Sequence, residues 1–393
     1  MPILSSHASA HPGVSVHIPG GVYVSGCTIE GECELVLHLL QEDDVQEVLI
    51  ELKGLAKTTI DRGETSSAET IHLADCSVPL WNAGTTSPSS GQDTLRVPFR
   101  IQLPPDVPPS FEYHGTVKRA FIRYTLTAIC VRPGMMRRNR HVHVPLTVTG
   151  KDTLGVATRD KLATISARAE EPPWRVCHAE DKIRKGIWGA YSTVQVDLRM
   201  PDVGVFPQFV PIPFIISITS TSAPLARSKA DTQPQEDPVF PPVPVTYDHL
   251  DFKLRRHVRI SARRDHMWHD DSETVMDFRN SLSAAEQDVP GREWVPLQGN
   301  GSEARSDAEG VWAQRATFRS TLSLDCPHSF SIKTITCNYT LELKVPFPGI
   351  GNDVHIKVPV TVTSGMDRPA LQDQLDGDTQ IAYEGGKGGF LDD

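Results

Sequence analysis

The chain carries two copies of one strand-rich segment, and this repeat constrains its fold more than any other feature. Residues 98–150 form the first copy and residues 318–365 form the second. The matched pieces are PSF (109–111) with HSF (328–330), YTL (124–126) with YTL (339–341), and VHVPLTVTG (142–150) with HIKVPVTVTSG (355–365). Solenoid repeats recur every ~20–50 residues, whereas these copies lie much farther apart. The chain is therefore predicted to contain two copies of a whole domain.

Short runs of alternating apolar and polar residues predict that both domains are built from strands. VQEVLIELKG (45–54) and STVQVDLRM (192–200) are clear examples. Gly or Pro interrupts such runs every ~8–12 residues, as is typical of β-sandwiches. The chain has 31 prolines and 28 glycines in 393 residues, which suits turn-rich β-structure and falls short of low complexity. We therefore predict an all-β fold of two tandem immunoglobulin-like β-sandwich domains.

Composition divides the chain into four parts. We predict a first sandwich at 14–150, a linker with a single helical turn at 151–176, a second sandwich at 177–365 and a disordered acidic tail at 366–393. Polar, acidic or Pro-rich composition predicts disordered insertions near 223–245 and 265–314, with a short helix at 301–316. Few apolar residues occur at 61–94, so this stretch is predicted to be a surface loop with at most one short strand near Thr70–Leu73.

Charge and cysteine usage indicate the compartment and limit the partners. The formal net charge of −10 argues against a dedicated nucleic-acid-binding protein. The seven cysteines are scattered and include no Cys-x-x-Cys pair, which favours reduced thiols. The N-terminus lacks the features of a signal peptide, and the longest apolar run, residues 209–218, is too short to span a bilayer. We expect a cytoplasmic protein.

Motifs for catalysis and for cofactors are not recognisable. The sequence lacks a Gly-rich phosphate loop, His-Glu-x-x-His and Gly-x-Ser-x-Gly. We therefore predict no enzymatic activity and no cofactor. His266 and His269 lie among aspartates in DHMWHDD (265–271), a mixture that is a weak candidate for zinc. A polar loop without metal is the simpler interpretation, and no metal site is predicted.

The order of the strand motifs resembles the arrestin-like family, in particular arrestin-related trafficking adaptors and arrestin-domain-containing proteins. The resemblance covers about residues 14–365. The pieces that carry it in the first half are VYVSGCTIEG (22–31), VLIELKG (48–54), VPFRIQLPPDVPPSF (97–111) and FIRYTLTAICV (121–131). In the second half they are VDLRMPDVGVFPQFVPIPFIISITS (196–220) and YTLELKVPFPGIGNDVHIKVPVTVTS (339–364).

This resemblance implies a non-enzymatic adaptor that binds cytoplasmic tails or loops of membrane proteins for endocytosis, ubiquitination or intracellular transport. Peripheral recruitment to the plasma membrane or endosomes would follow. A retromer-type scaffold subunit of the same fold is an alternative, and a hydrolase or metal-dependent enzyme on a β-sandwich is a second one. The first strand, VSVHIP (14–19), lacks the paired lysines of phosphate-sensing arrestins, and FEYHGTV (111–117) is too short for their amphipathic helix. A ubiquitin ligase is a further implied partner, although the chain has no Pro-Pro-x-Tyr motif.

The first candidate partner site is RPGMMRRNRH (132–141), called the arginine loop below. Its arginines are Arg132, Arg137, Arg138 and Arg140, and they flank Met135 and Met136. No acidic residue lies within the loop, so the arginines suit lipid phosphate or a phosphorylated tail. The methionines suit contact with the apolar part of a membrane. The alternative is a solvated turn that keeps the hairpin soluble.

The second candidate partner site is KLRRHVRISARR (253–264). Strand alternation places its cations on one face and Leu254, Val258, Ile260 and Ala262 on the other. The residues of this basic stripe are Lys253, Arg255, His257, Arg259 and Arg263. We expect it to bind an acidic peptide or inositol phosphate, or to hold the acidic tail as an intramolecular latch. An ordinary solvated sheet face is the alternative.

Overall fold

A computed structural model describes residues 12–84, 93–134, 137–168, 170–186, 188–234, 237–262, 265–297 and 309–372. Strands dominate both halves of the described chain, and their sheets form two tandem β-sandwiches. The first half begins with β1 (Val14–His17), β2 (Gly20–Val24), β3 (Thr28–Val36), helix α1 (Leu37–Glu42) and β4 (Glu47–Arg62). It continues with β5 (Thr65–Asn82), β6 (Thr94–Gln102), β7 (Phe111–His114), β8 (Lys118–Val131) and β9 (Arg140–Thr149).

Helix α2 (Thr153–Arg168) joins this half to the second. The second half begins with β10 (Trp174–Arg184), β11 (Tyr191–Pro201), β12 (Phe206–Pro207), β13 (Ile212–Thr221), β14 (Leu225–Ala226), α3 (Arg227–Ala230) and a 3-10 turn (Tyr247–His249). Next come β15 (Asp251–Ala262), β16 (Asp265–Asp277), α4 (Arg279–Ser283), β17 (Glu286–Asp288) and β18 (Glu293–Pro296). The last strands are β19 (Glu309–Leu322), β20 (Phe330–Ser331), β21 (Ile335–Val345), β22 (Val354–Val360), β23 (Val362–Thr363) and β24 (Ala370–Gln372).

Each sandwich pairs two sheets around alternating apolar side chains. In the first, β1-β3-β6 faces β24-β2-β9-β8-β4-β5, with β7 also paired to β8. In the second, β10-β11-β13-β19-β14 faces β16-β15-β21-β20, with β22 also paired to β21 and with β17 and β18 paired to β19. A small parallel pair, β12-β23, lies beside them. Period-two burial in β15 and β22 follows from successive side chains pointing to opposite faces.

The two repeat copies share one hydrogen-bonding arrangement, which supports the duplication inferred from sequence. Tyr124 donates its hydroxyl to the Pro108 carbonyl at 2.7 Å, and Tyr339 does the same to Pro327 at 2.6 Å. The hydroxyl oxygen of Ser110 accepts from the Val148 amide at 3.0 Å, and that of Ser329 accepts from Val362 at 3.0 Å. In each copy, hydrogen bonds from a buried tyrosine and to a serine therefore stabilise the turn that follows the proline-rich segment.

Three stretches are more regular than their composition predicts. The expected loop at 61–94 contains β5, which forms a long hairpin with β4. The expected disordered insertion at 265–314 contains β16, α4, β17, β18 and the start of β19. The prediction of a helix at 301–316 is wrong for residues 309–316, which belong to β19. Within the expected insertion at 223–245, Ala230, Val239 and Val243 are buried.

The linker and the tail also differ from their predictions. Residues 153–168 form a helix of four turns' length rather than a single turn. The first residues of the expected tail form β24, which pairs with β2 of the first sandwich and not with the basic stripe. Residues 373–393 lie outside the described part of the chain. Among the described residues, no helix has the length and apolar character needed to cross a membrane.

Candidate functional site

The arginine loop is fastened to acidic side chains elsewhere in the first sandwich. Arg132 places Nη2 3.0 Å from a carboxylate oxygen of Asp43 and donates from Nε to the Asp43 carbonyl at 2.9 Å. Arg140 contacts the other carboxylate oxygen of Asp43 at 3.2 Å, and Arg137 pairs with Asp44. Acidic residues outside the loop therefore pair with three of the four arginines, and the sequence of the loop alone did not reveal these partners.

The turn after α1 positions Asp43 and Asp44 beside the arginine loop. Asp44 adopts a left-handed conformation, with φ 54°, which aspartate tolerates better than most residues. Arg138 has no ion pair among the described residues, and only its carbonyl is used, by Arg132 at 3.4 Å. Met135 and Met136 lie outside the described residues. Among the described arginines of the loop, only Arg138 has a side chain without an ion pair and therefore remains available to bind a separate molecule. Its role in binding such a partner stays a prediction.

The basic stripe has the predicted geometry, but its charges are compensated. Leu254, Val258, Ile260 and Ala262 are buried, as the alternation predicts. Lys253 pairs with Asp251 at 2.7 Å, Arg255 lies 3.8 Å from Glu342, and Arg259 pairs with Asp270 at 2.6 Å. Arg263 lies outside the described residues. An open depression of about 480 Å³ lies over His257 of β15, Thr340 of β21 and Pro359 of β22, and partner binding at this face stays a prediction.

Arg256, on the opposite face of the same strand, joins the two sandwiches. Its guanidinium lies 5.8 Å from the Phe111 ring and 5.6 Å from the Tyr113 ring, and it pairs with Glu273. Burial alone would lower the pKa of Arg256, but the hydrogen bond and charge of Glu273 outweigh it and the pKa is raised. Sequence alternation assigned Arg256 no role, because its partners belong to distant segments.

Tyr113 and Asp271 form a second contact between the sandwiches. The Tyr113 hydroxyl donates to Asp271 at 2.5 Å, and Lys118 donates to the Asp270 carbonyl at 2.8 Å. The hydrogen bond from Tyr113 is the main reason that the pKa of Asp271 is lowered, with a smaller contribution from Lys118. Asp271 is therefore committed to this interface, and Asp270 is occupied by Arg259 and Lys118.

The weak zinc candidate gains no support. The side chains of His266 and His269 are outside the described residues, although their backbone lies in β16. Within the described residues, no group of three or more His, Cys, Asp or Glu side chains is arranged to hold a metal ion.

One end of the second sandwich presents large apolar side chains to solvent. Trp188 is 89 % exposed at the turn between β10 and β11, and Tyr191 beside it is 57 % exposed. Ile350 is fully exposed at the turn between β21 and β22. The sequence signal for the first turn is RKGIWGAYS (184–192), a tryptophan between glycines at a hairpin tip.

Strand register places both turns at the same end. The Trp174 end of β10 pairs with the Pro201 end of β11, which leads into β12. Strand β12 pairs with β23, which follows directly after Val360 at the end of β22. The Val360 end of β22 therefore lies at the same end of the sandwich as Trp174 and Pro201. The opposite ends of β10 and β22 lead to Trp188 and Ile350, and the two strands contact one another. We call Trp188, Tyr191 and Ile350 the apolar tips.

Three cations lie on β10 and on the turn that carries Trp188. Lys182, Arg184 and Lys185 are exposed and form no ion pair with any described residue. Arg184 donates to the Gly189 carbonyl at 2.9 Å and its guanidinium lies 5.4 Å from the Tyr191 ring. Lys185 lies 5.7 Å from the Phe240 ring. The apolar tips are thus combined with positive charge that has no carboxylate partner in the part of the chain that the structure describes.

Comparison with known proteins agrees with this architecture. Residues 14–154 match the family model described as "Arrestin (or S-antigen), N-terminal domain". The matched range spans the first sandwich and the start of α2. No curated protein matches the chain significantly. The first sandwich is therefore similar to an arrestin N-terminal domain, which supports a function of the adaptor or scaffold kind, and the tandem β-sandwiches are consistent with the arrestin fold.

Proposed function

We propose that the chain is a non-enzymatic adaptor that binds cytoplasmic tails or loops of membrane proteins while resting peripherally on an anionic membrane, at the plasma membrane or endosomes. The observation that carries this proposal is the end of the second sandwich formed by the apolar tips and Lys182, Arg184 and Lys185. The family match supports the adaptor part.

The chemistry of this end fits the interface between water and lipid. Tryptophan and tyrosine concentrate at membrane interfaces because their rings are apolar and their N–H or O–H groups remain hydrated. Trp188 and Ile350 project from hairpin turns rather than lining a groove, so a flat surface can reach them without rearrangement of the fold. A protein partner would need a matching concave surface, whereas a bilayer needs none.

Charge adds the second attraction that stable recruitment needs. Each Lys or Arg near an anionic leaflet contributes about 1 kcal/mol, and this contribution falls with salt. Lys182, Arg184 and Lys185 therefore supply about 3 kcal/mol in addition to apolar insertion. One weak apolar anchor alone would give only marginal and reversible binding, which is why both components are required here.

The junction with the first sandwich lies at the other end of the second sandwich, around Gly150, His328 and Ser364. An adaptor attached through the apolar tips would leave the first sandwich exposed to solvent on its outer faces. Cytoplasmic segments of a membrane protein could then be bound by that sandwich, including the surface beside Arg138.

Vesicle co-sedimentation tests the membrane contact. The full chain is expected to bind phosphatidylcholine vesicles that contain phosphatidylserine more tightly than vesicles without it. The double variant Trp188→Ser/Ile350→Ser should lose at least about tenfold in affinity for both, because apolar burial is lost. The variant Lys182→Gln/Arg184→Gln/Lys185→Gln should weaken only phosphatidylserine binding, by about fivefold for each charge.

A matched control removes two exposed apolar side chains at the end of the second sandwich that lies opposite the apolar tips. Leu154 is 58 % exposed on α2 and Phe209 is 66 % exposed after β12, so Leu154→Ser/Phe209→Ser should leave vesicle binding unchanged. Equal losses in the control and in the tip variant, or no binding by the unmodified chain, would reject the proposed membrane contact.

A further inference from the structure

The junction between the two sandwiches is very short. Strand β9 ends at Thr149 and α2 begins at Thr153, which leaves Gly150, Lys151 and Asp152 between them. The Lys151 amide donates to the Ser25 hydroxyl at 2.8 Å, so the start of this segment belongs to the first sandwich. A segment this short, with a glycine in it, needs further contacts to hold a fixed angle.

Helix α2 belongs to the second sandwich. Its buried residues are Gly155, Thr158 and Leu162, and the helix packs against β12. Arg159 donates to the Ser364 carbonyl at 3.5 Å. The chain crosses from the first sandwich to the second where Lys151 passes into the first turn of α2, and it crosses back after Gly365, where it leads to β24 on β2 of the first sandwich.

Asp152 occupies this position, and its carboxylate and amide together make three hydrogen bonds. One carboxylate oxygen accepts from the Gly155 amide at 2.7 Å, which caps the helix. The other accepts from the Gly365 amide at 2.8 Å, at the end of the second sandwich. The Asp152 amide donates to the Met366 carbonyl at 2.8 Å. Both bonds to the carboxylate are charge-assisted, and they are therefore stronger than bonds between neutral groups.

Both donors to this carboxylate are glycines for steric reasons. A Cβ at Gly155 would lie 1.8 Å from a carboxylate oxygen of Asp152 and 2.6 Å from the Thr363 hydroxyl. Gly365 has φ +61°, and a Cβ there would lie 2.7 Å from the Arg159 guanidinium. Gly150 and Gly365 end the two repeat copies, and Ser364 joins them by donating its hydroxyl to the Gly150 carbonyl at 3.2 Å.

We propose that Asp152 is a positioning residue that holds together the two segments that cross between the sandwiches, by capping α2 with one carboxylate oxygen and binding Gly365, which precedes β24 on the first sandwich, with the other, and that it thereby restrains the angle between the sandwiches. An aspartate is required because an asparagine has only one acceptor oxygen and cannot satisfy both amides. A fixed angle matters for any two-domain protein that contacts one partner with both domains, since simultaneous contact depends on geometry.

The variant Asp152→Asn in the full chain tests this proposal without any partner or membrane. Hydrogen exchange measured by mass spectrometry should rise about tenfold in peptides that cover 364–366, because a charge-assisted hydrogen bond is lost. Exchange in β21 should not change, because the sandwich itself stays folded. Small-angle scattering should show a larger radius of gyration, because one restraint on the angle between the sandwiches is lost. Ser364→Ala should shift both measurements in the same direction by a smaller amount.

The control is Asp160→Asn, which makes the same chemical change on an exposed residue of α2 whose side chain forms no hydrogen bond or ion pair with any described residue. It should match the unmodified protein in both measurements. Unchanged scattering in Asp152→Asn would overturn the proposal, and so would faster exchange throughout β21, which would indicate general destabilisation instead.

Discussion

Individual arginines of one loop have different roles, although the sequence treats them alike. The Arg132 side chain is 15 % exposed and contacts both the carboxylate and the carbonyl of Asp43. The Arg132 amide donates a hydrogen bond to the Asn139 side-chain oxygen at 3.1 Å. Arg138 makes no side-chain ion pair among the described residues. Reversing all the loop charges together would therefore change folding as well as any contact with lipid or phosphate.

Replacement of Arg132 by Met should lower the free energy of unfolding by about 1–3 kcal/mol, since Asp43 would lose a partly buried partner. Arg138→Met should change it by less than about 0.5 kcal/mol, as is usual at exposed sites. Urea unfolding followed by tryptophan fluorescence measures both. Equal effects of the two substitutions would show that the Asp43 contact does not stabilise the loop.

Phe209 combines backbone strain with exposure. Its φ of 58° lies in the left-handed region, where a side chain costs about 1–2 kcal/mol. Its amide donates to the Leu324 carbonyl at 3.1 Å, which holds the backbone there, while the side chain is 66 % exposed. The folded chain therefore keeps this phenylalanine without the burial that would offset the strain.

Phe209→Gly should raise the free energy of unfolding by about 0.5–1 kcal/mol, because relief of strain exceeds the entropy that glycine adds to the unfolded chain. The comparison is Tyr191→Gly, an aromatic residue of similar exposure in an ordinary strand. That change should lower stability by about 1 kcal/mol. If both glycine variants are destabilised equally, the strain at Phe209 has no energetic consequence.

At the scale of elements, strands with one buried face were predictable and strands without one were not. The central strands β4, β8, β15 and β21 bury alternate side chains, and this alternation is visible in the sequence. Strand β5 lies at a sheet edge and is exposed along most of its length. Its residues, TSSAETIHLADCSVPLWN, are therefore mostly polar, and its pairing comes from β4.

Helix α2 and strand β24 depend on contacts that no local pattern reveals. The helix buries only Gly155, Thr158 and Leu162, so it lacks the apolar stripe by which helices are usually predicted. Strand β24 has three residues and exists through pairing with β2, which lies far away in the sequence. The partner of the arginine loop, Asp43, was missed for the same reason.

Across the whole molecule, the two sandwiches share one continuous apolar core and a polar interface. Phe111 and Phe330, which are equivalent positions of the repeat, meet edge to face with centroids 4.9 Å apart. Further contacts join Tyr113 to Asp271, Thr58 to Ser261 and Lys333 to Glu69. Because these contacts add to the junction at Asp152, we expect the sandwiches to unfold together in one calorimetric transition.

The double variant Tyr113→Phe/Arg256→Met should separate this transition into two. It removes a hydrogen bond to a charged group and a cation–π contact, each of which contributes about 1–3 kcal/mol, while the apolar packing of Phe111 remains. Arg255→Met on the outer face of the same strand is the control, and it should keep a single transition. Differential scanning calorimetry distinguishes these cases. Two transitions in the unmodified chain, or one unchanged transition in the double variant, would mean that the interface does not couple the sandwiches.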